Sequence, residues 1–276
     1  MSTQQTTDDC YLITTRSNLH AGAGDKSFGL IDKLVQRDPT TRLPTIYSSS
    51  LKGALRELTT YHAPGKIEAI FGSDNRKGKE ANLKQGTYTF YDAQLLALPV
   101  RASKDFYYLA TTPELLKEFL NTCRAALDSK LADAAEILAG KTINKGKPEY
   151  LDLDDNKLIE DKPDILLEDW EAEAYLFDPD LVSLSEILGN RIALFNANDF
   201  AQLADDLPTL ARNALNNGIS EQLWYEEVVP RETRFYTKVR RPNDDLHDVI
   251  TKAGEEVQVG ANATVGYGVT HWKRLN

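Results

Sequence analysis

The chain has 276 residues, 41% of them hydrophobic, and a formal net charge of −10, enough for one large or two small domains with an ordinary apolar core. It contains no apolar run of about 18 residues, its first nine residues are polar and acidic, and Cys10 and Cys123 stand apart rather than in a CxxC pair. The sequence therefore reads as cytoplasmic, with no membrane span, secretory leader, disulfide framework or zinc-ligand spacing.

The acidic total argues against a polyanion partner until its distribution is read. Residues 1–112 hold 14 Lys and Arg against 11 Asp and Glu, residues 231–276 hold 8 against 6, and residues 113–230 hold 10 against 25. Such a split permits RNA on a surface built from the two ends, with the acidic middle facing solvent or protein partners. Acidic helices that only keep the chain soluble are the alternative.

In chain order, residues 10–15 predict an opening strand and residues 18–29 a glycine-rich loop. Ser49 and Ser50 offer an N-cap to a helix whose Leu51, Ala54, Leu55 and Leu58 share one face. Strands follow at 87–91, 94–100 and 106–110. Thr112-Pro113-Glu114 then caps and starts a helix with the stripe Leu116, Leu120, Cys123 and Leu127. Residues 140–169 turn polar and predict a projecting hairpin or loop. Their Asp-x-Asp-Asp run at 152–155 lacks the glycine and distal glutamate of an EF-hand and reads as a solvated turn. A strand at 170–177, a helix over 199–217 stopped by Gly218, and strands at 223–229, 232–239 and 268–274 complete a mixed α+β order without βαβα repetition.

Three segments carry chemistry. His20-Ala-Gly22-Ala-Gly24 fits neither a dinucleotide fingerprint nor a P-loop. Its glycines let backbone N–H groups approach a phosphate, or simply make a tight turn. Ser48 to Arg56 places serine hydroxyls at the positive end of a helix dipole, with Lys52 and Arg56 one turn apart away from the leucines. That is the arrangement of a phosphate site, or of a capped surface helix with two solubilising cations. Gly260 to Gly268 ends in the letters of a potassium-channel filter, but no pore helix surrounds it. It reads as a glycine-rich turn whose Tyr267 stacks on a base or packs in the core.

Together these segments resemble one family. The matching residues are His20-x-Gly22-x-Gly24, Gly29-Leu-Ile-Asp32, Gln36-Arg37-Asp38, Leu43-Pro44, Ser49 to Arg56, Ile70-Phe71-Gly72, Tyr91-Asp92-Ala93, Leu95 to Val100, Trp224-Tyr225-Glu226-Glu227 with Pro230, and Thr264 to Gly268. The chain resembles the RAMP superfamily of CRISPR proteins, and within it the backbone subunits of the type III-B, or Cmr, effector complex. It departs from them at Lys33-Leu34, where Leu-Pro is usual after the aspartate, and at Ala261, the second position of a usual Gly-Gly pair.

The resemblance implies an α+β fold over residues 1–276: a ferredoxin-like, RRM-type palm with helical insertions and a projecting β-hairpin thumb. It implies guide RNA, target RNA, further copies of the chain in a stacked filament and other Cmr subunits as partners. Target RNA would be cut at regular intervals near Asp32, which would act as base or hold a loosely bound Mg or Mn ion. His20 would orient the site or assist proton transfer, unless it is structural. The RNA-binding residues would be Gly22, Gly24, Gln36, Arg37, Ser49, Ser50, Lys52, Arg56, Arg231, Arg234, Gly266, Tyr267 and Gly268, and the charge split adds Arg240 and Arg241. Two other readings keep the same fold: a scaffold that binds RNA without cutting it, and an endonuclease that matures the guide precursor.

Overall fold

The computed structural model describes residues 6–24, 29–73, 83–154, 164–175, 178–217 and 219–275. Its strands are β1 (Thr7–Thr15), β2 (Thr89–Phe90), β3 (Gln94–Arg101), β4 (Tyr107–Thr111), β5 (Glu149–Asp152), β6 (Ile165–Leu167), β7 (Trp170–Ala174), β8 (Arg191–Leu194), β9 (Thr209–Asn216), β10 (Ile219–Glu227), β11 (Arg234–Arg241), β12 (Glu256–Gln258) and β13 (Val269–Leu275). Its helices are α1 (Ser48–His62), α2 (Ile67–Phe71), α3 (Pro113–Cys123), α4 (Ser129–Ala139), α5 (Ser185–Leu188), α6 (Ala197–Asp205) and α7 (Asp245–Lys252).

Strand β1 shows why the sheet lies in the middle. Tyr11 and Ile13 enter one apolar cluster and Cys10 and Leu12 the other, because successive side chains in a strand point to opposite faces. One long sheet runs β12-β13-β1-β11-β3-β4-β8-β5-β7-β6, and β2 also pairs with β11. Leu51 and Leu55 of α1, Phe200 of α6 and Leu246 and Ile250 of α7 cover one face. Leu116 and Phe119 of α3, Leu131 and Leu138 of α4 and Ile187 of α5 cover the other. With both faces packed, a polyanion must meet the loops and helix ends at the sheet's margins. No described helix is long and apolar enough to cross a membrane.

The cap of α3 is as the sequence predicts: Thr112 Oγ1 accepts the Leu115 N–H at 3.2 Å, with Pro113 in the first turn. Helix α1 differs, starting at Ser48, whose N–H donates to Asp92 Oδ1 at 2.6 Å. The cap comes from 44 residues away, so Ser49 and Ser50 sit inside the first turn.

Two larger expectations are corrected. The helix over 199–217 ends at Asp205, and 209–216 is strand β9. Pro208 explains the break, since it lacks an N–H and disfavours helical backbone at Leu207; Gly218 lies outside the described residues. Residues 140–169 do not project where they are described: β5 and β6 belong to the long sheet, with Tyr150, Leu151, Ile165 and Leu167 buried. Residues 155–163 lie outside the described residues. The hairpin set apart is instead β9–β10, a separate two-stranded sheet with a bulge between Ser220 and Gln222.

Candidate active site and RNA interface

Beyond β1 the chain is stapled to the segment after β10. Leu19 and Val229 exchange backbone hydrogen bonds of 2.8 and 2.9 Å, and Asp32 to Arg37 then run beside the base of the hairpin. Tyr225 O accepts the N–H groups of Asp32 (3.1 Å) and Lys33 (3.2 Å), and the Glu227 N–H donates to Lys33 O at 2.9 Å. The Tyr225 N–H donates to Asp32 Oδ2 at 2.8 Å. Asp32 is exposed, and its Oδ1 has no hydrogen-bond partner among the described residues. One carboxylate oxygen is thus fixed by the hairpin while the other faces outward.

Two successive acids rivet this contact. The Glu226 carboxylate is fully buried, yet accepts hydrogen bonds from Lys33 Nζ (2.8 Å), Trp224 Nε1 (2.8 Å) and Asn262 Nδ2 (2.9 Å). Burial pushes its pKa up, but the Lys33 and Trp224 donors outweigh this and hold it below the usual glutamate value. Lys33 Nζ also lies 4.9 Å from the centre of the Trp224 ring, a cation–π contact. Glu227 faces the other way, pairing with Arg37 Nη2 at 2.5 Å and accepting the Val35 N–H at 3.0 Å.

His20 is buried, and its Nδ1 donates to the Glu227 carbonyl at 2.8 Å. No hydrogen bond joins it to Asp32 among the described residues. Its own carbonyl accepts the Ala261 N–H at 2.9 Å and is so close to Gly260 that an added Cβ there would lie 2.5 Å away. His20 thereby packs the glycine loop against the turn at 260–268. Gly268 is needed in that turn: its φ is +75°, and a Cβ would lie 1.9 Å from Val259 O. Ala261, where the family usually has glycine, is not among the residues of positive φ. Tyr267 is half-buried, with the Arg212 guanidinium of the hairpin 5.2 Å from its ring centre.

The other candidates divide into groups that face outward and groups engaged within the chain. Gly22 and Gly24 lie on the loop leading to Asp32, and Gly24 has open space where a side chain would be. Ser49 is exposed on the first turn of α1, and Lys52, one turn on, is half-buried with no ion-pair partner among the described residues. Arg56 donates to Gly72 O at 3.3 Å. Arg231 is exposed beside the hairpin base, and Gly266 lies at the tip of the 260–268 turn.

The remaining groups read as RNA contacts hold partners within the chain. Gln36 bridges Gly22 O (3.1 Å), Ser50 Oγ (2.9 Å) and the Tyr47 N–H (2.7 Å), joining the glycine loop to the start of α1. Arg37 is committed to Glu227. Arg234 pairs with Glu232 at 3.2 Å, Arg240 with Asp8 at 2.8 Å, and Arg241 with Asp9 and Asp244. A formal charge count cannot tell such paired arginines from free ones.

As a cation site, Asp32 offers one carboxylate, and no group of three His, Cys, Asp or Glu able to hold a metal occurs among the described residues. This donor set fits an ion held mainly by phosphate oxygens and water, as Mg²⁺ commonly is.

The family profile of the RAMP superfamily matches residues 12–271. The CRISPR system Cmr endoribonuclease Cmr4 of Pyrococcus furiosus is 28% identical over 280 residues, spanning 93% of this chain and 92% of the relative. The CRISPR system CMR subunit Cmr4 of Saccharolobus solfataricus is 24% identical over 321 residues, spanning 96% of each. Among solved structures, a chain of the type III-B Cmr-beta complex bound to cognate target RNA aligns with a TM-score of 0.76 at 24% identity, covering 98% of this chain and 97% of its own. Oligomeric Cmr4 from Pyrococcus furiosus aligns with a TM-score of 0.65 at 20% identity, covering 97% and 98%.

Proposed function

This chain belongs to the RAMP superfamily, and from that premise we propose that it is a guide-RNA-binding backbone subunit of a type III-B CRISPR effector that cuts bound target RNA at Asp32. Copies of it stack along the guide and join other Cmr subunits. The observation that carries the cutting role is the two-way bond between Asp32 and Tyr225, which fixes an exposed carboxylate to the root of a projecting hairpin.

The topology supports the finer architecture. Strands β13-β1-β11-β3 lie in the order fourth, first, third, second, antiparallel throughout, with α1 after β1 and α7 after β11 on the same face. That is the ferredoxin-like palm. The β9–β10 hairpin is the thumb, and its exposed Ile219, Leu223 and Tyr225 suit it to lie against unstacked bases.

One route to RNA cleavage without a protein nucleophile is transesterification by the ribose 2′-OH. Its oxygen attacks the adjacent phosphorus in line with the departing 5′-oxygen, which takes a proton from solvent water, giving a 2′,3′-cyclic phosphate and a free 5′-OH. An ordinary helical strand does not present that alignment, so a hairpin that splays bases brings the reacting atoms toward it. Asp32 Oδ1 accepts the 2′-OH proton, while Oδ2 stays on the Tyr225 amide and holds the carboxylate's orientation. Asp32 would hold a divalent ion where one binds, and that ion would supply charge stabilisation. The guide backbone lies along the glycine loop and the first turns of α1, where Ser49 and Lys52 meet it.

The test is a denaturing gel of labelled target RNA incubated with the assembled complex and Mg²⁺ or Mn²⁺. Fragments at regular spacing support the reading, and intact target in a complex that binds it supports the scaffold instead.

A further inference from the structure

We propose that His20 reads a ribose 2′-hydroxyl of the bound guide, its Nε2 accepting the hydroxyl proton through an opening left by the missing side chain of Gly22. This rests on the reading that guide RNA lies along the glycine loop, and it names a contact that selects RNA there.

His20 is 3% exposed, and its Nδ1 donates to Glu227 O at 2.8 Å. A neutral imidazole carries one ring proton, so a donating Nδ1 leaves Nε2 as a lone-pair acceptor. That Nε2 has no hydrogen-bond partner among the described residues. Nor is it sealed, because among those residues the one enclosed side-chain nitrogen or oxygen without a partner is Arg274 Nε. A deeply buried side chain thus brings a single unpaired acceptor to a small opening, where a donor from outside can meet it.

Gly22 keeps that opening. A Cβ added to it would lie 3.1 Å from His20 Nε2 and 3.7 Å from Cδ2. Its φ is not positive, unlike that of Gly24 at +97°, so the backbone conformation at 22 does not call for glycine. What a side chain there would take is the space over Nε2. The segment is also held in place: the Ala23 N–H donates to Leu34 O at 2.9 Å and the Gln36 N–H to Ala21 O at 2.8 Å. Gln36 Nε2 joins Gly22 O to Ser50 Oγ, which sets the opening beside the first turn of α1 and so on the path assigned to the guide.

The lone pair favours a hydroxyl over a phosphate. A phosphate oxygen needs a donor, and the neutral ring offers none at Nε2. Lys33 and Arg37, the cations joined to the Glu226–Glu227 segment that holds His20, are committed to those two acids. A ribose 2′-OH supplies the missing proton, and it is the group by which a protein tells RNA from DNA at a given site.

The experiment is filter binding of the full-length protein to a native guide RNA and to the same guide made throughout with 2′-fluororibose, which keeps an RNA-like sugar pucker but has no hydroxyl proton to donate. Wild type should prefer the native guide. His20→Asn keeps an amide donor for Glu227 O and loses the acceptor, whereas Gly22→Ala keeps His20 and covers its Nε2. With folding checked by circular dichroism, each should shrink the preference roughly three- to tenfold, as loss of one neutral hydrogen bond does. The loss should fall on the native guide and leave 2′-fluoro binding as in the wild type. The double variant should shrink the preference no further than His20→Asn alone, because both changes remove one interaction. A wild type without the preference, or a preference unchanged in either single variant, overturns the inference and leaves guide binding intact. So does an equal loss on both guides, the mark of a purely structural histidine. An equal loss with a salt slope flatter by about one assigns Nε2 to a phosphate and also overturns the hydroxyl contact. A wild type that binds neither guide overturns the guide-binding reading as well.

Discussion

Lys33 Nζ lies 2.8 Å from Glu226 Oε1, and Glu226 is fully buried where Lys33 is half-exposed. The residue beside the proposed catalytic aspartate is therefore tied to a buried acid at the hairpin base. That acid also holds the Trp224 indole and Asn262 of the 260–268 turn. Lys33 departs from the family's usual Leu-Pro, and here it holds the Asp32 segment against the hairpin.

Glu226→Ala should cost about 2–4 kcal/mol of stability, because it leaves buried donors unpaired. Lys33→Met should also destabilise, since it leaves the buried Glu226 carboxylate without its cation while the Trp224 and Asn262 donors remain. Equilibrium denaturation of both single variants and the double variant should show the two costs failing to add.

The pH dependence follows from the lowered Glu226 pKa. A carboxyl held lower in the folded than in the unfolded chain contributes stability that is fully present above the unfolded value, about 4.3, and is lost as pH falls through the folded value. The stability gap between wild type and Glu226→Gln should thus be steady from pH 7 to about 5 and narrow below. A gap that widens on acidification would show that Glu226 is not held ionised.

Lys52 and Arg56 together should account for up to about two phosphate contacts. Replacing both with Ala should weaken guide binding for all sequences alike and flatten the slope of log affinity against log salt by up to about two. Filter binding across a salt series measures it, and an unchanged slope removes α1 from the guide path.

Arginines of the C-terminal strands should separate by their partners. Arg231→Ala should reduce RNA affinity, because its exposed side chain is free to meet phosphate. Arg240→Ala, which breaks the pair with Asp8, should leave affinity within about twofold, since an exposed pair contributes about 1 kcal/mol or less to stability alone. Equal losses from both would return RNA to the C-terminal end of β11, where Arg240 lies.

Much of the fold was legible in local patterns: β1 from its alternation, α3 from Thr112-Pro113 and its stripe, and the 260–268 turn from its glycines. The hairpin was misread because residues 199–217 carry apolar spacing compatible with a helix, and only Pro208 and pairing with β10 turn the second half into a strand. Asp32 and the glycine loop were legible through resemblance, whereas their support was not. The Glu226 and Glu227 clamps join residues nearly 200 positions apart, and Asp92 caps α1 from another loop. Nothing in a local window distinguishes Arg37 or Arg241, each paired with an acid, from an arginine awaiting phosphate.

The central claim is that Asp32 is needed for cutting and not for binding, since a carboxylate adds nothing to holding a polyanion. Asp32→Asn keeps the shape and the acceptor for the Tyr225 N–H while removing the charge, and general-base assistance alone is worth about 10²–10⁴-fold. Single-turnover cleavage of labelled target RNA by complexes assembled with this variant is the most direct measurement. The account predicts normal assembly and target affinity with cleavage slowed at least about a hundredfold at every regularly spaced position. Cleavage at the wild-type rate by the Asn variant would contradict it.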